Sequence, residues 1–150
     1  MNNAIYAIIL SLLPVSELRG GIPYAISQGM NPFWAYFICV IPNILIIFPV
    51  FFFLDYLHHH FIKFSLYKKL FDIYLKRVQR KLEKMLHLWE YLILFLFVAI
   101  PMPGTGAYTG CLVAWLLKMR RVNSMIAIAV AVMVAGVIVT LASVGIFSLF

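Results

Sequence analysis

The chain has 150 residues, of which 65% are hydrophobic and 11% charged, and its formal net charge is +7. A soluble domain is about half apolar and about a quarter charged, and a chain this short cannot hide so much apolar surface in a water-soluble core. The composition therefore excludes an ordinary soluble domain. It predicts an integral membrane protein whose first partner is the lipid bilayer.

The first quarter of the chain contains a polar interruption in otherwise apolar sequence. Residues 4–13 are apolar but span about 15 Å as a helix, half of the roughly 30 Å hydrocarbon core. Residues 14–23 break this run, and an apolar run of 22 residues, 33–54, follows. This second run is long enough to cross the membrane, and Pro42 and Pro49 inside it predict kinks.

A basic linker separates the two halves of the chain. Over residues 58–87, apolar side chains alternate at helical spacing with eight of the twelve Lys and Arg residues. This pattern is typical of a basic amphipathic helix on a membrane surface, and a solvated connecting helix is the alternative. Asp55, just before the linker, reads as a solvated charge. We predict a single membrane domain with a first half, 1–57, and a second half, 88–150.

The second half has the same layout as the first. Residues 88–100 form a 13-residue apolar arm that is too short to cross, and a second interruption, 101–110, follows it. After a nine-residue arm, 111–119, the 27 residues 124–150 contain no charge and predict a second spanning helix. A stripe of small residues that ends at Gly136 suits close contact with another helix in lipid.

The positive charges predict the topology. If residues 88–119 crossed the membrane once, the linker and the basic cluster at 118–121 would lie on opposite sides, against the positive-inside bias. A re-entrant hairpin keeps both on the cytoplasmic side, so we place residues 58–87 and 118–123 there. Because the positive charges are explained by orientation, we expect no nucleic-acid partner.

The predicted fold is an all-α integral membrane protein of two inverted halves. Each half is a re-entrant helical hairpin followed by a transmembrane helix, and the basic amphipathic cytoplasmic linker joins them. The first hairpin enters from the outer side and the second from the cytoplasmic side of a multi-pass protein in the cytoplasmic membrane. Inverted repeats with broken helices are a transporter architecture.

The first interruption carries two charges, Glu17 and Arg19, where few are tolerated. Either charge costs about 3 kcal/mol at the membrane centre, so such residues are by default functional, paired or in contact with water. We expect Arg19 to contact an anionic head group such as a phosphate. We expect Glu17 to carry a proton, because burial disfavours a charged carboxylate. An ion pair that only stabilises the hairpin is the alternative.

The other candidate site residues supply turns, backbone groups and hydroxyls. Glycines allow close backbone approach, prolines stop helices, and the half-helix ends expose N–H dipoles suited to an anion. The candidate substrate-binding and proton-coupling residues besides Glu17 and Arg19 are Ser16, Gly20, Gly21, Pro101, Pro103, Gly104, Thr105, Gly106, Tyr108 and Thr109. No catalytic constellation, metal site or cofactor motif is expected, so we do not predict an enzyme.

Two strings of the sequence, SELRGGIP at 16–23 and FVAIPMPGTGAYTG at 97–110, resemble the small multidrug export family, which is related to the DedA/VTT membrane proteins. The resemblance covers nearly the whole chain. It implies paired re-entrant hairpins with an essential acidic and basic pair, here Glu17 and Arg19, and membrane lipid transport. The second interruption, 101–110, holds no charge, which departs from the DedA pattern and argues against a proton relay with acids in both hairpins.

Three functions follow from these observations. The leading hypothesis is a transporter of an anionic lipid or phosphate-bearing head group, such as a polyprenyl phosphate, in which Arg19 binds the substrate and Glu17 couples transport to protons. The second is proton-coupled export of small cationic drugs, with Glu17 as the cation site. The third is a non-transporting membrane scaffold whose linker docks on anionic lipids. Two spanning helices are few to enclose a path, so a homodimer is expected.

Overall fold

The computed structural model describes residues 2–61, 87–101 and 105–147, and no strand occurs within these ranges. The described helices are α1 (Asn2–Leu12), α2 (Glu17–Ser27), α3 (Pro32–Leu45), α4 (Ile47–Phe61), α5 (His87–Ala99), α6 (Ala107–Leu116) and α7 (Arg121–Phe147). The predicted all-α class is thus confirmed for the described part of the chain. The predicted linker from residue 62 to residue 86 lies outside the described residues, as do Pro103 and Gly104.

Two helical stretches are long and apolar enough to cross a membrane. They are Pro32–Leu57 and Arg121–Ile146, each of 26 residues, and they correspond to the two predicted spanning helices. The first consists of α3 and most of α4, and its helix is interrupted by a turn at Ile46. The missing N–H of Pro49 removes one hydrogen bond of the helix at this point, which explains the break between the two predicted kink sites.

The short helices α1 and α2 form an antiparallel hairpin. Asn3 at the start of α1 donates a hydrogen bond from Nδ2 to Oε1 of Gln28, just after the end of α2, at 3.3 Å. The two helices also approach closely at Gly21, where an added Cβ would lie 2.8 Å from the carbonyl oxygen of Ala7. The hairpin therefore begins and ends at the same end of the helix bundle.

The C-terminal ends of α2 and α6 share one geometry. Gly29 and Lys118, which follow these helices, have φ angles of 80° and 53°. In both cases the next N–H donates a hydrogen bond of 3.1 Å to the carbonyl five residues earlier. This is the Schellman arrangement, which satisfies the last carbonyls of a helix and turns the chain sharply. Each short helix can therefore lead directly into a spanning helix.

Helix α7 is the centre of the bundle. Helices α2, α3, α5 and α6 all pack against it, α1 packs on α2 and α3, and α6 also contacts α4. At Gly136 of α7 an added Cβ would lie 2.6 Å from Cγ2 of Val40, and the Tyr36 hydroxyl donates to the carbonyl of Met133 at 3.2 Å. The predicted role of the small-residue stripe in close helix contact is confirmed here.

The outer surface of the spanning helices is apolar. Phe52 is 74% exposed and Leu141 is 68% exposed, and other large apolar side chains on both spans are more than half exposed. In water such a surface would drive aggregation, whereas lipid tails solvate it. The buried side of the bundle is correspondingly tight, with Ile22, Ile47 and Ile128 almost fully enclosed.

Candidate functional site at the junction of the two interruptions

The two polar interruptions, far apart in the sequence, meet in the structure. The hydroxyl of Tyr108, at the start of α6, donates a hydrogen bond to the carbonyl of Leu12 at the end of α1. The guanidinium of Arg19 donates to the carbonyl oxygen of Thr105 at 2.5 Å and to its Oγ1 at 3.0 Å. We call this contact region, residues 12–19 with residues 100, 101 and 105–109, the junction. It joins side chains from both predicted motifs in one site.

Glu17 binds the N-terminus of α6. Its carboxylate lies against the backbone at this helix end, beside the backbone N–H groups of Ala107 and Tyr108. The first N–H groups of a helix have no partner inside the helix, and the helix dipole favours a negative charge there. Glu17 is thus an N-terminal cap supplied by the other half of the chain. Its own backbone has φ 44°, a left-handed conformation that costs a non-glycine residue about 1–3 kcal/mol.

Gly106 leaves the space that the carboxylate of Glu17 occupies. Its φ of 177° is extended backbone that any residue can adopt, so backbone conformation does not demand glycine here. A Cβ at this position, however, would lie 1.8 Å from Oε2 of Glu17. Glycine is required because the carboxylate lies against the backbone. The N–H of Gly106 donates to Oγ1 of Thr109 at 2.9 Å, which holds the start of α6 in place.

Arg19 and Thr105 fix the other side of the junction. The hydroxyl of Thr105 accepts from Arg19 and donates to the carbonyl of Ile100 at 2.8 Å. Thr105 thereby links Arg19 to the C-terminal end of α5. Glu17 and Arg19 attract each other electrostatically. The close contacts described here, however, connect each of them to the second interruption.

Three candidate residues shape the first hairpin. The Ser16 hydroxyl donates to the carbonyl of Leu10 at 2.5 Å, near the end of α1. An added Cβ on Gly20 would lie 2.6 Å from Cβ of Ser16, and Gly21 faces α1 as described above. Gly20 and Gly21 therefore allow the hairpin to close tightly, whereas Ser16 also borders one of the two cavities of the junction.

Two small cavities flank the junction. The inner cavity, about 20 Å³, is bordered by Glu17, Arg19, Thr105 and Pro101 together with residues of α3 and α7. The outer cavity, about 30 Å³, is bordered by Ser16 and Thr109 and by the same Glu17, Arg19 and Thr105. These three residues therefore border both spaces.

Asn43 of α3 is a polar residue of the site that sequence reasoning missed. It is 1% exposed, its Nδ2 donates to the carbonyl of Ser11 at 2.5 Å, and it borders the inner cavity. Among the described residues its Oδ1 has no hydrogen-bond partner. The sequence signal that could have indicated Asn43 is that it is the single amide side chain within the apolar run 33–54, next to Pro42.

Tyr108 also borders an apolar pocket outside the junction. The pocket, about 380 Å³, lies between α4 and α6 and is bordered by Pro49, Val50, Phe53 and Leu112 among others. Its volume is within the range of small-molecule sites, and its walls are almost wholly apolar. The hydroxyl of Tyr108 thus belongs to the junction and its ring to this apolar pocket.

A second charged cluster lies at the far end of the first span. Asp55 accepts a hydrogen bond from Nε1 of Trp115 at 2.9 Å and forms an ion pair with Arg121. The Arg121 guanidinium lies 5.9 Å from the centroid of the Phe51 ring. This Asp55 cluster joins the ends of α4 and α6 to the start of α7. The Asp55 side chain is 42% exposed, in keeping with the predicted solvated charge, and the structure adds its pairing with Arg121.

The two apolar spans and the apolar outer surface define an integral membrane protein. A family model described as "Putative small multi-drug export protein" matches residues 17–138, and the chain belongs to this family. The matched range starts at Glu17 and contains Glu17, Arg19 and the second interruption, whereas junction residues 12–16 lie before it. A search of curated proteins and a search of solved structures each found no match to this chain.

Proposed function

We propose that the protein is a membrane transporter of the DedA/VTT type that moves an anionic lipid or a phosphate-bearing head group. We propose that its path opens and closes at the junction. One observation carries the proposal, the contact of the Glu17 carboxylate with the first N–H groups of α6. A helix N-terminus is a binding place for phosphate. Here it is filled by an anion of the protein itself, and the Arg19 guanidinium lies beside it.

Protonation of Glu17 is the proposed coupling step. A neutral carboxyl is a weaker acceptor for the N–H groups of Ala107 and Tyr108 than a carboxylate, because charge-assisted hydrogen bonds are about twice as strong. Protonation therefore weakens the contact between the two halves and frees the N-terminus of α6. Phosphate oxygens then replace the carboxylate, and Arg19 provides a second, bidentate contact.

The proposed path lies between two inverted halves with re-entrant hairpins. Three features support this topology: the shared order of two short helices and one span, the shared ends of α2 and α6, and the matched contacts of α2 with α7 and of α6 with α4. The Asp55–Arg121 pair also favours it, since the end of the first span and the start of the second lie together. We propose that this end is cytoplasmic and that two chains form a homodimer.

The test is transport by the purified protein in vesicles, with lipid-phosphate and cationic dye substrates, with and without a pH gradient. Arg19→Ala is expected to abolish lipid-phosphate transport, and Glu17→Gln to abolish its dependence on the gradient. Arg120→Ala and Glu90→Gln make the same substitutions outside the junction and are the matched controls. Wild-type transport of lipid phosphate by Arg19→Ala would contradict the proposal.

Export of cationic drugs is the second candidate. The apolar pocket beside Tyr108 favours it, because a pocket of about 380 Å³ fits the apolar body of a small drug, and the description of the family names drug export. In the same vesicles this function is indicated if Glu17→Gln abolishes dye export while Arg19→Ala leaves it intact. A scaffold without transport is indicated if both variants and the wild type move no substrate and cells carrying the variants behave as wild type.

A further inference from the structure

The buried amide of Asn43 has a defined orientation. The group within 2.5 Å is the carbonyl oxygen of Ser11, which can only accept a hydrogen bond, so the nitrogen of the amide must lie on that side. The hydroxyl of Ser11 donates to Ile8 within α1 and is already engaged. The Oδ1 atom is therefore held away from α1, at a residue that borders the inner cavity.

The chemistry of the inner cavity defines its ligand. Asn43, whose Oδ1 has no hydrogen-bond partner among the described residues, and Glu17 both border this space of about 20 Å³. A neutral ligand that bridges these two acceptors must carry at least two O–H or N–H donors. The space holds about one water molecule, which needs roughly 10–15 Å³ and two or more polar partners. A larger amine does not fit this volume.

We propose that the inner cavity is a binding site for one water molecule, which donates one hydrogen bond to Oδ1 of Asn43 and the other to the carboxylate of Glu17, and that this water delivers the proton to Glu17. In the transfer, a proton from a hydronium ion of the adjoining aqueous phase binds to the water oxygen while one O–H bond of the water breaks towards the carboxylate, so one proton enters, one leaves and the water is regenerated. Asn43 is then a positioning residue that acts through the water.

The surroundings of the cavity suit this role. The titratable groups that interact with Glu17 are Arg19 on α2 and Tyr108 and Cys111 on α6. On α7 the cavity is bordered by apolar residues, Val132 and Ala135 among them. Among these described neighbours, none is a second carboxylate that could deliver a proton directly. The proposal rests on the proposed role of Glu17 as the proton-coupling group.

The experiment measures hydrogen–deuterium exchange of the protonated Glu17 carboxyl by rapid-mixing infrared spectroscopy, with the band identified by its loss in Glu17→Gln. Two variants remove the water in different ways. Asn43→Leu deletes its acceptor, and Ala135→Val fills the cavity from α7 without touching the bond between Asn43 and Ser11. Each is expected to slow the exchange at least about tenfold, since positioned proton-transfer partners contribute on the order of a hundredfold or more. Ala127→Val, on the same helix but away from the cavity, is the matched control and exchanges as wild type.

Wild-type exchange in either variant, with an unchanged melting temperature, would overturn the water site. If Asn43→Leu does not fold, Ala135→Val decides the question alone. Slow exchange in both variants together with transport that ignores the pH gradient would leave the water site standing and refute proton coupling instead. The two proposals therefore fail in different measurements.

Discussion

The protein holds charged side chains in two places and in two different ways. In the Asp55 cluster, opposite charges from separate segments neutralise each other, and the side chains of Arg121 and Asp55 are 52% and 42% exposed. In the junction, a carboxylate is bound by backbone N–H groups and a guanidinium by a carbonyl and a hydroxyl. The first contact joins two charged side chains. In the Glu17 contact of the junction the partners are neutral backbone groups, so protonation of Glu17 would weaken it.

The largest expected difference between the two regions is the side of the membrane from which each can be reached. If the hairpins are re-entrant, Gly29 beyond α2 and Asn123 near the Asp55 cluster lie on opposite faces of the membrane. Single cysteines at these two positions should therefore be labelled from opposite sides by a thiol reagent that cannot cross lipid, with Asn123→Cys labelled from the cytoplasm. Cys39 and Cys111 are buried and provide the background. Labelling of both positions from one side would refute the inverted arrangement.

The next largest effect is expected at Gly106. Gly106→Ala places a Cβ where the carboxylate of Glu17 lies, so the carboxylate must leave the N-terminus of α6. A displacement of about 1 Å at a functional site costs roughly a hundredfold in rate, and we expect vesicle transport to fall at least that far. Gly145→Ala, where an added Cβ meets nothing within 4 Å, is the matched control. Equal transport by the two variants would show that the Glu17 contact is dispensable.

A smaller contrast is expected between two neutralising substitutions. Glu17→Gln removes the charge of the Glu17 contact, so the melting temperature of the variant should respond less to pH between mildly acidic and neutral buffer than that of the wild type. Asp55→Asn removes a partly exposed charge pair that stabilises the fold by up to about 1 kcal/mol. The melting temperature of this variant should therefore fall slightly, and its transport rate should stay near that of the wild type. Equal loss of transport in both variants would mean that the Asp55 cluster also belongs to the working site.

The smallest expected effect concerns salt. The exposed Asp55–Arg121 pair is screened by ions, so its contribution, at most about 1 kcal/mol, should shrink as sodium chloride rises from low to roughly molar concentration. The difference in melting temperature between wild type and Asp55→Asn should shrink with it. The difference between wild type and Glu17→Gln should persist, because the partners of Glu17 are buried backbone groups. If the difference in melting temperature between wild type and Glu17→Gln also shrank with salt, this contrast would be contradicted.

Much of the fold could be predicted because lipid imposes strict rules on length and charge. Apolar runs 33–54 and 124–150 had to be long helices, and the arms beside the two interruptions were too short to cross. The structure agrees on both points. Glu17 and Arg19 could be singled out because a charge in apolar sequence is costly wherever it ends up.

The contacts of these residues could not be predicted in the same way. The partners of Glu17 are backbone N–H groups, which every residue carries, so no sequence pattern marks them. Arg19 and Thr105 are 86 positions apart, and only helix packing brings them together. The pairing of Asp55 could not be predicted for the same reason, because Arg121 lies beyond the linker. Asn43 was overlooked because an amide is tolerated in an apolar run far better than a charge.

Tyr108 has a mechanical consequence of its own. An aromatic ring is rigid, so the ring in the apolar pocket and the hydroxyl at the carbonyl of Leu12 cannot move independently. A molecule that pushes the ring aside must also withdraw the hydroxyl from the end of α1. Displacement of the ring by an apolar molecule between α4 and α6 would therefore weaken the contact between the two halves of the protein.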